Sequence, residues 1–303
     1  MLGISTCWWH NRTDRGDEIV SDILRLGLKG VELEYRITDS VYQQMKPKLK
    51  RKLTVLSIHN FFPKPEGLTV RKGSGDLFLL SSTDREERSK AVEYTIRTME
   101  YADDLEASAV VLHLGRVDMS NPTPRLTGPY GTSHLVTDET MALLEEQKLE
   151  REARHERYLD AVLFSMEKLN KEAEKRGVFL GIENRYHFHE IPNFEEIGII
   201  LERFRGGNVR YWHDVGHALA QEKMGIVRQK DLLEAYWENM LGIHLHDVKG
   251  HDDHFSPGQG EVDYEAIKPF LQSSHIKIME VHPKVDREDL MKGIRLVKNL
   301  GIM

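Results

Sequence analysis

Short apolar runs separated by polar and charged stretches recur along the whole chain. Eight of these runs are rich in β-branched and aliphatic residues, which is typical of strands buried on both faces of a sheet. They cover residues 2–7, 30–33, 55–59, 109–113, 179–183, 209–214, 242–247 and 276–281. The pattern therefore predicts eight strands, each followed by a polar loop.

Amphipathic stretches between these runs predict helices. In residues 17–26, Ile19, Ile23 and Leu26 recur at helical spacing, and Gly27 follows as a stop signal. Asn193 with Glu196 three residues later resembles a capping box. Further helices are predicted over residues 85–105, 138–176, 197–204, 264–271 and 287–300.

Strand and helix alternate through eight units, which favours an α/β fold with a single (β/α)8 TIM barrel. An open doubly wound sheet is the alternative, and the lack of Gly-x-Gly-x-x-Gly after the first strand weakens it. We expect residues 1–303 to form one domain. Two long loops, at about 60–84 and 115–137, are predicted on the rim where barrels bind substrates.

Composition narrows the class of partner. The chain carries 42 Lys and Arg against 49 Asp and Glu, a net charge of −7, which disfavours attachment to nucleic acid by overall charge. Cys7 is the only cysteine, so an intramolecular disulfide is excluded and the cytoplasm is expected. Neither a signal peptide nor a membrane span is predicted. We expect a small-molecule substrate, and the sequence leaves the oligomeric state open.

Ionisable residues lie at or beside the C-terminal ends of six consecutive predicted strands. They are His59, His113, Glu183, Asp214, His244 and Glu280. Imidazole nitrogen and carboxylate oxygen are the usual ligands of Zn²⁺ and Mn²⁺. Because burying such groups unpaired costs several kcal/mol each, a bound metal ion explains the pattern better than packing does. The nearby pair Asp252 and His254, two residues apart on a loop, extends this candidate metal centre.

Three motifs carry a resemblance to a known family. They are IEN at residues 182–184, HDVGHA at 213–218, and HLHD at 244–247 followed by PGQG at 257–260. With them, nearly the whole chain resembles the xylose isomerase-like TIM barrel superfamily, also called AP endonuclease family 2. That superfamily includes endonuclease IV-like phosphodiester hydrolases as well as sugar isomerases and epimerases.

The endonuclease IV-like branch of the family implies three zinc ions and nine ligand positions. All nine are filled here, by His59, His113, Glu183, Asp214, His217, His244, Asp252, His254 and Glu280. In that scheme Glu183 bridges two sites, and the third site uses His217, Asp252 and His254.

The leading functional hypothesis is a multinuclear zinc hydrolase of a phosphoester. Clustered zinc would generate hydroxide at neutral pH and neutralise charge on the transition state. Five of the nine positions favour this hypothesis, because a sugar isomerase or epimerase does not need them as ligands. They are His59, His113, His217, Asp252 and His254. Given the net charge, a small phosphorylated or sugar-like substrate is favoured over DNA.

The alternative hypothesis is a sugar or sugar-phosphate isomerase or epimerase with one Mn, Co or Mg ion. The resemblance implies that Glu183, Asp214, His244 and Glu280 would hold this ion. Glu183 and Glu280 would also transfer the proton next to the substrate carbonyl.

Four further residues are predicted to contact substrate. His246 and Arg185 lie beside the metal positions and would bind substrate oxygens. Phe62, with Phe61, is interpreted as the roof of a small pocket, in preference to a wedge inserted into DNA. Trp8 follows the first strand and would wall the pocket.

Overall fold

The computed structural model describes residues 1–67, 74–127 and 137–303. Residues 68–73 and 128–136, which belong to the two predicted rim loops, lie outside the described part of the chain. Eight parallel strands close into a barrel. They are β1 (Leu2–Ser5), β2 (Gly30–Leu33), β3 (Thr54–His59), β4 (Ala109–Leu112), β5 (Phe179–Glu183), β6 (Val209–Asp214), β7 (Met240–Leu245) and β8 (Ile276–Met279).

Helices surround this barrel. They are α1 (Gly16–Arg25), α2 (Asp39–Lys52), α3 (Arg85–Asp104), α4 (Thr123–Leu126), α5 (Asp138–Glu152), α6 (Glu156–Arg176), α7 (Phe194–Arg203), α8 (Val215–Lys223), α9 (Gln229–Tyr236), α10 (Tyr264–Ile267) and α11 (Arg287–Asn299). None of the helices in the described ranges has the length and apolar composition needed to cross a lipid bilayer.

The predicted (β/α)8 barrel is confirmed. Each of the eight predicted runs overlaps one barrel strand, although β3 begins one residue and β7 two residues before the predicted run. Strand β1 pairs with β8 through Leu2 opposite Lys277 and Ile4 opposite Met279, which closes the sheet. Two short antiparallel strand pairs lie outside the barrel: Gly115–Arg116 with Glu190–Ile191, and Asp247–Lys249 with Asp252–Phe255.

The helices differ from the prediction in three places. The single helix predicted over residues 138–176 is two helices, α5 and α6. Neither glycine nor proline marks this break, but Arg151 and Arg154 beside it bind the backbone carbonyls of Glu190 and Asp118. Helix α2 was not predicted, because its lysine-rich sequence with an internal Pro47 hides the apolar stripe. The third difference is that α4, α8 and α9 were not predicted either.

The outer core is formed by apolar helix faces packed on the strands. Ile19 and Ile23 of α1 and Leu290 and Ile294 of α11 are fully or almost fully buried there. The predicted capping box is present at the start of α7, where Asn193 and Glu196 each accept the other's backbone N–H.

The barrel interior contains one large side chain, Trp212 of β6, with no exposed surface. Glycines on both neighbouring strands make room for its ring. A Cβ atom at Gly242 of β7 would lie 2.5 Å from the Trp212 ring, and one at Gly181 of β5 would lie 2.9 Å from it. Ala109, Val111, Ile276 and Ile278 complete this inner cluster. Trp212 therefore fills the barrel just below the C-terminal ends of the strands.

We expect Gly242→Ala to lower the free energy of unfolding by about 1–3 kcal/mol, because the new methyl group overpacks the barrel interior. Urea denaturation measures this loss. The same substitution made in a Trp212→Phe background should be less costly, since the smaller ring vacates the contact. An equal loss in both backgrounds would contradict the packing described here.

Candidate metal centre and active site

Strand alternation positions the ionisable residues. Side chains two residues apart along a strand point to the same face, so Asp214 follows Trp212 into the barrel. His59, Glu183, Asp214 and His244 lie at the ends of β3, β5, β6 and β7, and all four are buried. His113 and Glu280 follow β4 and β8 directly. The six predicted strand-end residues therefore meet at one mouth.

Glu183 belongs to two groups of candidate metal ligands, and in the first of them it lies beside His59 and His113. Its Oε2 is 2.8 Å from His113 Nε2 and 3.7 Å from His59 Nε2. Its Oε1 is 2.7 Å from His244 Nδ1. The two carboxylate oxygens thus face two different groups of candidate ligands, which is the geometry of a bridging carboxylate.

The second group consists of Glu183, Asp214, His244 and Glu280. One ligand atom from each of the four lies within 4.8 Å of the others. His244 Nδ1 is 2.9 Å from Glu280 Oε2 and 3.4 Å from Asp214 Oδ2. All four residues are buried, so this group can surround a single ion with three carboxylates and one imidazole.

The third group contains His217, Asp253 and His254, and here the expectation of Asp252 is wrong. Asp253 Oδ1 lies 2.8 Å from His254 Nδ1, whereas Asp252 pairs with Lys284 at 2.7 Å and its side chain is 66% exposed. The prediction took Asp252 and His254 to lie on a loop from which both side chains could turn to one ion. His254 has a φ of 58°, in the left-handed region, and it is Asp253 that lies beside it.

His246, predicted to bind substrate, is held by the protein at both ring nitrogens. Its Nε2 lies 2.9 Å from Asp214 Oδ1, and its Nδ1 accepts the backbone N–H of His254. The His246 and His254 rings stack at 4.2 Å. Gly216 leaves room for the imidazole, because a Cβ there would lie 2.0 Å from His246 Cε1. His246 therefore contacts Asp214 directly, and with His254 and Glu280 it also forms a further group of candidate ligands.

Arg185, the second residue predicted to bind substrate, pairs with three carboxylates. Its guanidinium lies 3.1 Å from Asp76, 3.3 Å from Glu183 and 2.8 Å from Glu190. Asp76 also lies 3.2 Å from His113 Nδ1. Burial would raise the pKa of Asp76, but the charges of Arg185 and His113 lower it. Sequence reasoning missed Asp76, because its loop offers no periodic signal.

The two aromatic residues predicted to line a pocket are packed into the protein. The expectation that Phe62 roofs a pocket is wrong, since its buried ring packs edge-on against Tyr42 and Tyr101 of the outer helices. Trp8 is also buried, and its Nε1 donates to the carbonyl of Val285.

The electrostatics of the mouth keep its carboxylates ionised. Burial alone would raise the pKa of Glu183, but hydrogen bonds with His113, His244 and His59 hold it well below its usual value. Burial likewise opposes ionisation of Glu280, and His244 outweighs it. Burial would lower the pKa of His244, yet Glu280 and Glu32 raise it well above its usual value. Negative charge is therefore concentrated around one imidazole.

The residues present fit a divalent metal ion. Buried carboxylates of this number need a cation close by, and their oxygens with imidazole nitrogens are suitable ligands. The histidines are also anchored as metal ligands are, each through its second ring nitrogen. His59 and His217 each place Nδ1 about 3 Å from a backbone carbonyl, and His113 and His244 each face a carboxylate, Asp76 and Glu32.

Three solved structures show the same fold. The chain is 15% identical to 3-keto-D-glucoside 4-epimerase from E. coli, with a TM-score of 0.68 and 98% of each chain covered. It is 20% identical to a Thermus thermophilus protein soaked with ZnCl₂, with a TM-score of 0.61, covering 99% of this chain and 97% of that one. It is 13% identical to D-psicose 3-epimerase with D-tagatose from Clostridium cellulolyticum, with a TM-score of 0.62, covering 99% of this chain and 98% of that one.

None of the curated protein sequences matches the chain at a significant level. A sequence model of the xylose isomerase-like TIM barrel family matches residues 20–300, which is almost the entire chain. The resemblance found in the motifs is thereby confirmed, and the chain belongs to the xylose isomerase-like TIM barrel family.

Proposed function

We propose that this protein is a divalent-metal-dependent isomerase or epimerase acting on a small sugar or sugar phosphate. The observation that carries the proposal is the group of Glu183, Asp214, His244 and Glu280, in which two glutamates approach one buried imidazole. Two of the structural relatives are sugar epimerases, and this supports the alternative of the two sequence hypotheses over the hydrolase.

Glu183, Asp214, His244 and Glu280 would hold the metal ion. A divalent ion bound there would act as a Lewis acid on the substrate oxygens. The chain itself supplies the orientation of these ligands, since His246 holds Asp214 and Arg185 holds Glu183. Trp212 fills the barrel interior beneath them.

Glu183 and Glu280 come from β5 and the end of β8, and so approach a substrate from different sides. Because the pKa of each is held low, either carboxylate is ionised and able to accept a proton. One would remove the proton from the carbon next to the carbonyl, leaving the electron pair to move toward the carbonyl oxygen. A proton relayed from solvent past the other carboxylate would return to the opposite face of that carbon, and the carbonyl would re-form.

A second candidate function is the phosphoester hydrolase with up to three zinc ions. It is favoured by a specific observation, namely that three further groups of candidate ligands adjoin the central one. They are His59 with His113 and Glu183, His217 with Asp253 and His254, and His246 with His254 and Glu280. A mononuclear epimerase does not need these as ligands. Metal stoichiometry separates the two candidates.

We expect one tightly bound divalent ion per chain in protein purified without chelator, measured by elemental analysis. Asp214→Asn should remove most of this metal, because it alters a ligand of the central group. His254→Ala should retain it, and His155→Ala, on the outer helices, is the matched surface control. About three zinc ions per chain, together with hydrolysis of a chromogenic phosphodiester that His254→Ala abolishes, would establish the hydrolase instead.

We expect Glu183→Gln and Glu280→Gln each to lower kcat by about 10²–10⁴-fold, the usual effect of removing a general acid or base. The assay substrates are D-tagatose, D-psicose and a 3-keto-D-glucoside, following the relatives. In D₂O the wild-type product should carry deuterium at the epimerised carbon.

Metal content is measured in each variant, so that a lost ligand is distinguished from a lost proton transfer. Glu196→Gln is the control, since Glu196 is equally buried but pairs with Arg151 on the outside of the barrel. Metal-loaded protein that forms no epimer and exchanges no deuterium with any of these sugars would overturn the proposal.

A further inference from the structure

Glu32 of β2 is a fully buried carboxylate to which none of the steps above assigns a role. Its Oε2 lies 3.1 Å from His244 Nε2 and accepts a hydrogen bond of 2.8 Å from Ser57 Oγ. Its Oε1 is also buried and has no hydrogen-bond partner among the described residues. A buried carboxylate with one unsatisfied oxygen is costly, so packing alone does not account for it.

His244 is in contact with carboxylates on both sides of its ring. Nδ1 faces the second ligand group, at 2.7 Å from Glu183 and 2.9 Å from Glu280, while Nε2 faces Glu32. An imidazole that binds a metal ion is neutral, so it carries one N–H, and its other nitrogen has the lone pair that binds the ion. If Nε2 donates its hydrogen to Glu32, the Nδ1 lone pair is directed at the ligand group.

We propose that Glu32 is a positioning residue that fixes His244 in the tautomer and ring orientation needed for metal binding through Nδ1. This inference rests on the metal centre of the proposed function and deepens it. Ser57 on β3 holds the Glu32 oxygen, and Trp212 packs edge-on against the His244 ring at 5.1 Å between ring centres. The ring is thus fixed from two directions before any ion arrives.

The central variant is Glu32→Gln, which keeps the side-chain shape and removes the charge that orders the histidine. Loss of such a partner typically weakens metal affinity by about 10–100-fold. We therefore expect Co²⁺ titration of the chelator-treated full-length protein to give a dissociation constant raised by that factor. The visible absorption of bound Co²⁺ should change as well, because the ligand geometry loosens. In the active enzyme kcat should fall more than KM rises.

Glu34→Gln is the matched control for charge. Glu34 is buried two residues further along, but its carboxylate pairs with Arg36 at 2.9 Å and not with a candidate ligand. The titrations are made at pH 8, where Glu34 is ionised because burial raises its pKa only to about 7. Glu34→Gln should leave Co²⁺ affinity and spectrum close to wild type.

Ser57→Ala provides a second variant that keeps every carboxylate in place. It removes the hydroxyl that orders Glu32, so it should weaken Co²⁺ binding in the same direction by a smaller factor. Thermal unfolding of the metal-free variants confirms that each is folded. If Glu32→Gln does not fold, Ser57→Ala decides the question alone.

Wild-type affinity and an unchanged Co²⁺ spectrum in the folded Glu32→Gln protein, or in Ser57→Ala where it decides alone, would overturn this inference and leave the proposed function intact. An equal loss in Glu34→Gln would also overturn it, because the effect would then be general electrostatics. A wild-type protein that binds no divalent ion would overturn both proposals together.

Discussion

The arrangement of the mouth depends on one constraint: buried carboxylates must be balanced by positive charge. Glu183, Asp214 and Glu280 lie within 4.8 Å of each other's ligand atoms around His244, at positions with little or no exposed surface. Without compensation this concentration of charge would oppose folding. The imidazoles balance part of this negative charge, and a divalent ion would balance the rest. Much of the surrounding structure, including Arg185 and His246, can be understood as support for these few oxygens.

Strand-end chemistry was accessible from the sequence because alternation along a strand has a fixed period. Once 209–214 is recognised as a strand, Trp212 and Asp214 must share a face, and the same reasoning places His244 and Glu183. The barrel followed from the repetition of such runs. Eight of the nine ligand positions implied by the resemblance lie in the groups that the structure brings together, although their role as ligands is still a prediction.

The rest could not be read from the sequence because it depends on loops. Asp253, and not Asp252, lies in the group with His217 and His254. The left-handed backbone of His254 accompanies this difference, and a pattern of polar and apolar residues does not indicate a positive φ. Asp76 reaches His113 from a loop whose path is set by tertiary contacts. Phe62 looked like a pocket lid because it follows a strand end, but the backbone turns its ring outward onto Tyr42 and Tyr101. Arg185 lies on the rim as expected, yet its guanidinium is already engaged by carboxylates.

Trp212 determines whether ions and small molecules can pass along the barrel axis. With its neighbours Ala109 and Ile278 it plugs the axis directly below His244, and each of these side chains is without exposed surface. The barrel is therefore closed below the mouth. Any ion or small molecule that entered the mouth from the strand ends would therefore have to leave it on the same side of the barrel.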